Sequence, residues 1–81
     1  MIKSQLLKSA SDKGYKIVYL MLQTQPEEML AENVRIARER SNYISLEKLK
    51  QEISQNLQER FKFNLELSNK FAEVITNVLN C

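Results

Sequence analysis

The stretch Tyr15–Leu22 reads Tyr-Lys-Ile-Val-Tyr-Leu-Met-Leu, and the interpretation of the whole chain depends on it. Its last six residues are all apolar or aromatic; Gly14 precedes it and Pro26 follows shortly after it. β-Branched and aromatic residues favour a strand, and a run this short between turn-forming residues is short for a helix. Because apolar and polar residues do not alternate, both faces of such a strand are expected to be covered, as in parallel α/β sheets. The sequence therefore predicts a buried strand over residues 15–23.

A strand buried on both faces needs neighbours at both edges, and the chain offers at most one other candidate. That candidate lies in the tail, residues 63–81, where Phe71–Val78 has the β-branched content of a short strand but the periodicity of a helix. Periodicity favours a helix there, and the strand stays open as the alternative. The predicted fold class is thus a mostly helical α/β fragment, one partial domain over residues 1–81.

Three further segments have the spacing of helices. Residues 2–13 carry apolar positions at helical intervals, and Gly14 suits the left-handed position that ends a helix. Residues 26–40 begin with Pro26 at the first helical position, where its missing N–H is tolerated. Residues 45–62 begin with Ser45 as a cap. Their apolar stripe consists of Leu46, Leu49, Ile53, Leu57 and Phe61.

Composition excludes several classes of function. Twelve basic and ten acidic residues are interspersed, so the net charge of +2 gives no strong nucleic-acid signal. The chain has no histidine and a single cysteine, Cys81, so it has neither an internal disulfide nor a Cys/His metal set. Its longest apolar run is far shorter than the ~20 residues that span a bilayer, and no secretory signal is evident. These features predict a cytoplasmic chain that does not contact membranes.

No catalytic residue is predicted. A nucleotide-binding P-loop needs several glycines, whereas Gly14 is the only glycine in the chain. Without histidine, Ser-His-Asp and Cys-His nucleophile pairs are excluded as well. The adjacent carboxylates of Glu27 and Glu28 suit the positive end of a helix dipole better than acid–base chemistry. The residues of the chain therefore do not decide whether it is part of an enzyme.

Arg35 and Arg38 are the candidate binding residues. They lie one turn apart on the predicted helix 26–40 and project in neighbouring directions. Arginine suits phosphate recognition because its planar guanidinium makes two-point contacts with oxygens. The alternative is a solvated helix face on which these arginines pair with Glu32 and Glu39.

The order of segments Lys13–Leu22, Thr24–Glu28, Asn33–Arg40 and Ile44–Leu49 resembles the C-terminal half of zeta-toxin-like P-loop kinases. The resemblance implies that helices 26–40 and 45–62 form a lid over nucleotide and phosphorylated substrate, with Arg35 and Arg38 facing phosphates. ATP and Mg would be cofactors of the whole enzyme only. The nucleotide loop and early strands would lie in a missing N-terminal kinase half, the expected partner, and the chain would be inactive alone.

A second interpretation is a small helical protein–protein interaction module, homodimeric or antitoxin-like. The long stripe over Leu46–Phe61 and the apolar tail motivate it, because two such stripes provide surfaces for self-association. Both interpretations place Val18 and Leu20 at the centre of the core.

Overall fold

A computed structural model describes residues 1–80, and over that range the chain forms five α-helices and no β-strand. The helices are α1 (Ile2–Lys13), α2 (Lys16–Gln23), α3 (Glu27–Arg40), α4 (Leu46–Phe61) and α5 (Leu65–Leu79). The predicted α/β fragment is therefore wrong: the described part of the chain is a small all-helical bundle.

The buried strand predicted over residues 15–23 is helix α2. Leu20 is 57% exposed while Leu22 is 0% exposed, although a strand would put these two residues on the same face. Val18 and Leu22, four residues apart, are both buried and point together into the core, as they do on a helix. Leu20 is consequently not a core residue, contrary to the prediction, whereas Val18 is.

Two properties of the stretch explain why it is helical. Leu20, Met21 and Leu22 belong to types with high helix propensity, and uniform hydrophobicity hides the period by which a helix and a strand are told apart. Upstream, Gly14 ends α1 with φ of 75°, and the Tyr15 N–H donates to the Ala10 carbonyl over 2.9 Å. This turn folds α2 back onto α1. Since no strand needs edge partners, the inference that the chain must be completed by a missing half loses its physical basis.

Helix α5 forms the centre of the bundle. It contacts each of the other four helices and contributes Phe71, Val74 and Val78 to a core cluster shared with α1, α2 and α3. Its start is capped by Asn64, whose Oδ1 accepts the Leu67 N–H over 2.7 Å, as asparagine does at many helix starts. The helix favoured for the tail is thus confirmed over Leu65–Leu79, and the alternative of a second strand is wrong.

Helices α3 and α4 start where the sequence places their caps, with one difference. The Ser45 Oγ accepts the Lys48 N–H over 3.2 Å and so caps α4. Pro26 precedes the first turn of α3 with φ of −63° and ψ of 146°, rather than occupying it. Across residues 1–80, none of the helices has the length and apolar character needed to cross a lipid bilayer.

Candidate functional site

Helices α3 and α4 stand apart and leave a groove between them. They make few direct contacts, because α4 packs chiefly against α5 while α3 packs against α1 and α5. The groove, called here the α3/α4 groove, has a volume of about 580 Å³. Leu6 of α1 and Phe71 and Ile75 of α5 line it from below, and Met21 and Leu22 of α2 flank it.

The walls of the groove are mainly apolar. Met29 and Ile36 of α3 face it from one side, and Ile53 and Leu57 of α4 face it from the other. Met29 and Ile36 are each more than half exposed, so the apolar surface continues past the groove onto its rim. An exposed apolar surface of this kind is typical of binding sites rather than of ordinary solvent-facing surface.

Three phenylalanine rings follow one another from the surface into the core. Phe61, at the end of α4, is 61% exposed, and its ring centroid lies 5.7 Å from that of Phe63. Phe63 in turn lies 6.3 Å from the buried Phe71 of α5. These spacings are those of favourable aromatic pairs, so the rings give this end of the groove a defined shape.

Of the two arginines that line the groove, Arg40 forms an ion pair and Arg60 does not, within residues 1–80. Arg40 of α3 bridges to Glu52 of α4, with its Nε 3.3 Å from Oε1 and its Nη2 3.3 Å from Oε2. The hydrogen bond to Glu52 raises the pKa of Arg40. Arg60, which also lines the groove, makes no ion pair within the described range 1–80. An unpaired cation therefore accompanies the apolar surface.

The predicted phosphate-binding residues lie outside the groove. Arg35 is 62% exposed and pairs along its own helix with Glu32 and Glu39, which matches the solvated-face alternative. Arg38 is exposed and makes no ion pair within residues 1–80. Phosphate binding by Arg35 and Arg38, and the kinase-lid function with its ATP and Mg, stay predictions.

A second cluster ties the α1–α2 turn to α5. Glu73 accepts hydrogen bonds from the Lys13 Nζ, 2.9 Å from Oε2, and from the Tyr15 hydroxyl, 3.0 Å from Oε1. The hydrogen bond from Lys13 lowers the pKa of Glu73, whereas burial and then the hydrogen bond to Glu73 raise the pKa of Tyr15. Lys70 stands 5.3 Å from the Tyr15 ring centroid. The cluster fastens the α1–α2 turn to α5.

From the sequence alone, Met29 and Ile36 are only flanks of the core stripe on α3. Their spacing of seven residues is two helical turns, so they form a second apolar column beside the buried one. That column is the feature of the sequence from which the groove could have been found. Arg60 and Phe63 were missed altogether, because nothing in their local sequence shows that α3 and α4 stand apart.

The comparisons with known proteins found no match: no protein-family model, curated protein or solved structure is similar to this chain.

Proposed function

We propose that this protein is an interaction module that holds an amphipathic helix of another polypeptide in the α3/α4 groove. The observation that carries the proposal is the apolar groove of about 580 Å³ between two helices that scarcely contact each other. Recognition of a helix in a groove is a common mode of peptide binding, with apolar anchors at intervals of three and four residues.

The exposed rim favours a helix over a small apolar molecule. Met29, Ile36 and Phe61 line the groove and are each more than half exposed, so their apolar surface extends from the walls to the rim. A helix laid along the groove covers the rim as well as the walls. Burying these side chains contributes about 25 cal/mol for each Å² of apolar surface removed from water.

The dimensions of the walls also suit a helix. The 14 residues of α3 and 16 residues of α4 correspond to lengths of roughly 21 and 24 Å at about 1.5 Å per residue. The Arg40–Glu52 ion pair joins the end of α3 to α4, so an incoming helix would lie along the part of the groove away from this pair, above α5.

The experiment is a titration followed by NMR of the side-chain methyl groups. The probe is a designed amphipathic peptide with leucines at helical intervals on one face. We expect chemical-shift changes at Ile53, Leu57 and Met29, and a loss of binding in Ile36→Asp. The control is Leu20→Asp, because Leu20 is about equally exposed but lies outside the groove. Groove methyl groups that ignore the peptide would contradict the proposal, as would equal losses in both variants.

A further inference from the structure

Helix α3 carries a second regular seam that its packing in the bundle does not use. Met29, Asn33, Ile36 and Arg40 follow one another at intervals of four, three and four residues, and all four line the α3/α4 groove. The buried stripe of the same helix is Leu30, Val34 and Ala37, of which Leu30 and Ala37 also line the groove. An alternation of three and four is the repeat by which helices pack in coiled coils.

Helix α4 has groove-lining residues at the same intervals on the opposite wall. Leu49, Ile53, Asn56 and Arg60 follow one another at four, three and four residues. Leu49 is already buried in the bundle, and the asparagine is the third residue of this seam rather than the second. Each wall thus presents two apolar residues, one asparagine and one arginine. The two seams belong to helices that make few direct contacts beyond the Arg40–Glu52 ion pair, so the exposed part of each seam is open to a helix from outside the bundle.

We propose that the occupant is α3 of a second copy of this chain, related by a two-fold axis; this rests on the interaction function proposed above. In such a pair the α3 helix of each copy lies in the groove of the other, and the two grooves merge into one apolar core. A two-fold interface uses the same patch on both partners, and each copy supplies both the groove and the helix.

The asparagines support a copy of this chain rather than an unrelated helix. Neither Asn33 nor Asn56 makes a side-chain hydrogen bond within the part of the chain that the structure describes. Asparagine among apolar seam residues is stabilised when a polar side chain faces it from the partner helix, and it then specifies register. The α3 helix of a second copy brings its own Asn33 into the groove, whereas a purely apolar helix would leave Asn33 and Asn56 buried without partners.

Charge is complementary as well. Arg60 has no acidic partner among residues 1–80, while Glu28 at the start of α3 has no basic one there. The α3 helix of a second copy brings Glu28 to the groove as its unpaired carboxylate, since Glu32 and Glu39 of that helix already pair with Arg35. Arg40 is already balanced by Glu52, so Arg60 is the side chain that gains an ion pair.

The test is the mass in solution, measured by light scattering after size-exclusion chromatography across a dilution series. We expect a dimer that dissociates on dilution. Ile36→Asp is expected to raise the dissociation constant of the dimer by about tenfold or more, which is the usual effect of losing a central interface anchor. Met29→Asp, on the same seam, is expected to weaken the dimer too, and the matched control Leu20→Asp to leave it unchanged. Circular dichroism verifies that each variant remains helical.

The possible results separate this inference from the proposed function. A chain that stays monomeric at about 1 mM, the concentration range of very weak association, overturns the dimer. If its groove methyl groups still respond to the designed peptide, the interaction function stands with a different partner. If they do not respond, both proposals fail. A dimer that Ile36→Asp and Leu20→Asp weaken equally also overturns the inference, because the contact then lies elsewhere.

Discussion

The Glu27 carboxylate closes the first turn of α1 by accepting the backbone N–H of Lys3, 3.3 Å from Oε1 and 3.2 Å from Oε2. Met1, which precedes α1, makes no side-chain cap of its own. The Lys3 side chain binds the end of α2 and the segment that follows it: its Nζ donates to the carbonyls of Gln23 and Gln25, each at 2.8 Å. Two residues separated by 24 positions thus satisfy backbone groups at two helix termini.

Replacing Glu27 with alanine is expected to lower the free energy of unfolding by about 1 kcal/mol, the usual cost of losing a side-chain cap. Urea denaturation measures this cost. Glu28→Ala is the control, because it removes the neighbouring charge from the same turn and Glu28 makes no side-chain hydrogen bond within residues 1–80. Equal costs for the two variants would mean that the contribution of Glu27 comes from the α3 dipole and not from α1.

The helical character of residues 16–23 is tested by two identical substitutions two positions apart. Leu22→Ala is expected to cost ~2–5 kcal/mol, as do truncations of buried leucines, because Leu22 is fully buried. Leu20→Ala is expected to change stability by no more than about 0.5 kcal/mol, as exposed positions do. Thermal and urea melts of both variants provide the comparison. A large and equal loss at both positions would contradict the helix, since residues two apart share one face only in a strand.

The cluster around Glu73 predicts a dependence of stability on pH. Because its pKa is lowered in the folded protein, Glu73 stabilises the fold above the unfolded-state pKa of about 4.3. This contribution is lost as the pH falls through the lower, folded-state pKa. Glu73→Gln is expected to reduce stability at neutral pH by less than about 1 kcal/mol, since partly exposed pairs contribute little.

The measurement for Glu73 is the difference in unfolding free energy between the natural protein and Glu73→Gln as a function of pH. That difference is expected to shrink in acid. The other carboxylates contribute equally to both proteins, so their effect on the difference cancels. Glu66→Gln is the control, because Glu66 is highly exposed and pairs only with Lys70 among the ion pairs of residues 1–80. Its difference in unfolding free energy is expected to change little with pH. A difference for Glu73→Gln that grows in acid would reverse the assigned sign.

Ser68 gives a prediction in the stabilising direction. Its hydroxyl is buried on α5 and has no hydrogen-bond partner within residues 1–80. A buried polar group without a partner costs roughly 1–3 kcal/mol, and alanine has the higher helix propensity. Ser68→Ala is therefore expected to raise the melting temperature. Ser54→Ala is the contrasting variant, since the Ser54 Oγ donates to Asn69 Oδ1 over 2.6 Å. Losing this hydrogen bond is expected to lower the melting temperature.

Helix positions followed from the sequence where polar and apolar residues alternate with a clear period. The stripes of α3 and α4 and the caps at Gly14 and Ser45 are of this kind. The stretch Tyr15–Leu22 failed because nearly all its residues are apolar, so that no period shows which face is buried. Its true pattern, with Val18 and Leu22 inward and Leu20 outward, is set by contacts with α1 and α5.

The groove was not predicted. Met29 and Ile36 flank the core stripe of α3 in the sequence, and no second apolar face was inferred from them. Whether α4 covers that face is decided by the packing of α4 on α5, and local sequence does not specify tertiary packing of this kind. The arginines chosen from sequence, Arg35 and Arg38, are solvent-facing, whereas a different pair, Arg40 and Arg60, lines the groove. Charge alone therefore did not locate the surface.

The central place of α5 sets the timing of folding during protein synthesis. The ribosome makes α5 after the other four helices, yet Phe71, Val74 and Val78 supply the apolar surface onto which those helices pack. Until this segment leaves the exit tunnel, α1 can pack against α2 and α3, but the core lacks the side chains of α5, and apolar surface that α5 covers stays open to chaperones. Consolidation of the native state is then a late event, completed only after nearly all of the residues described here have emerged.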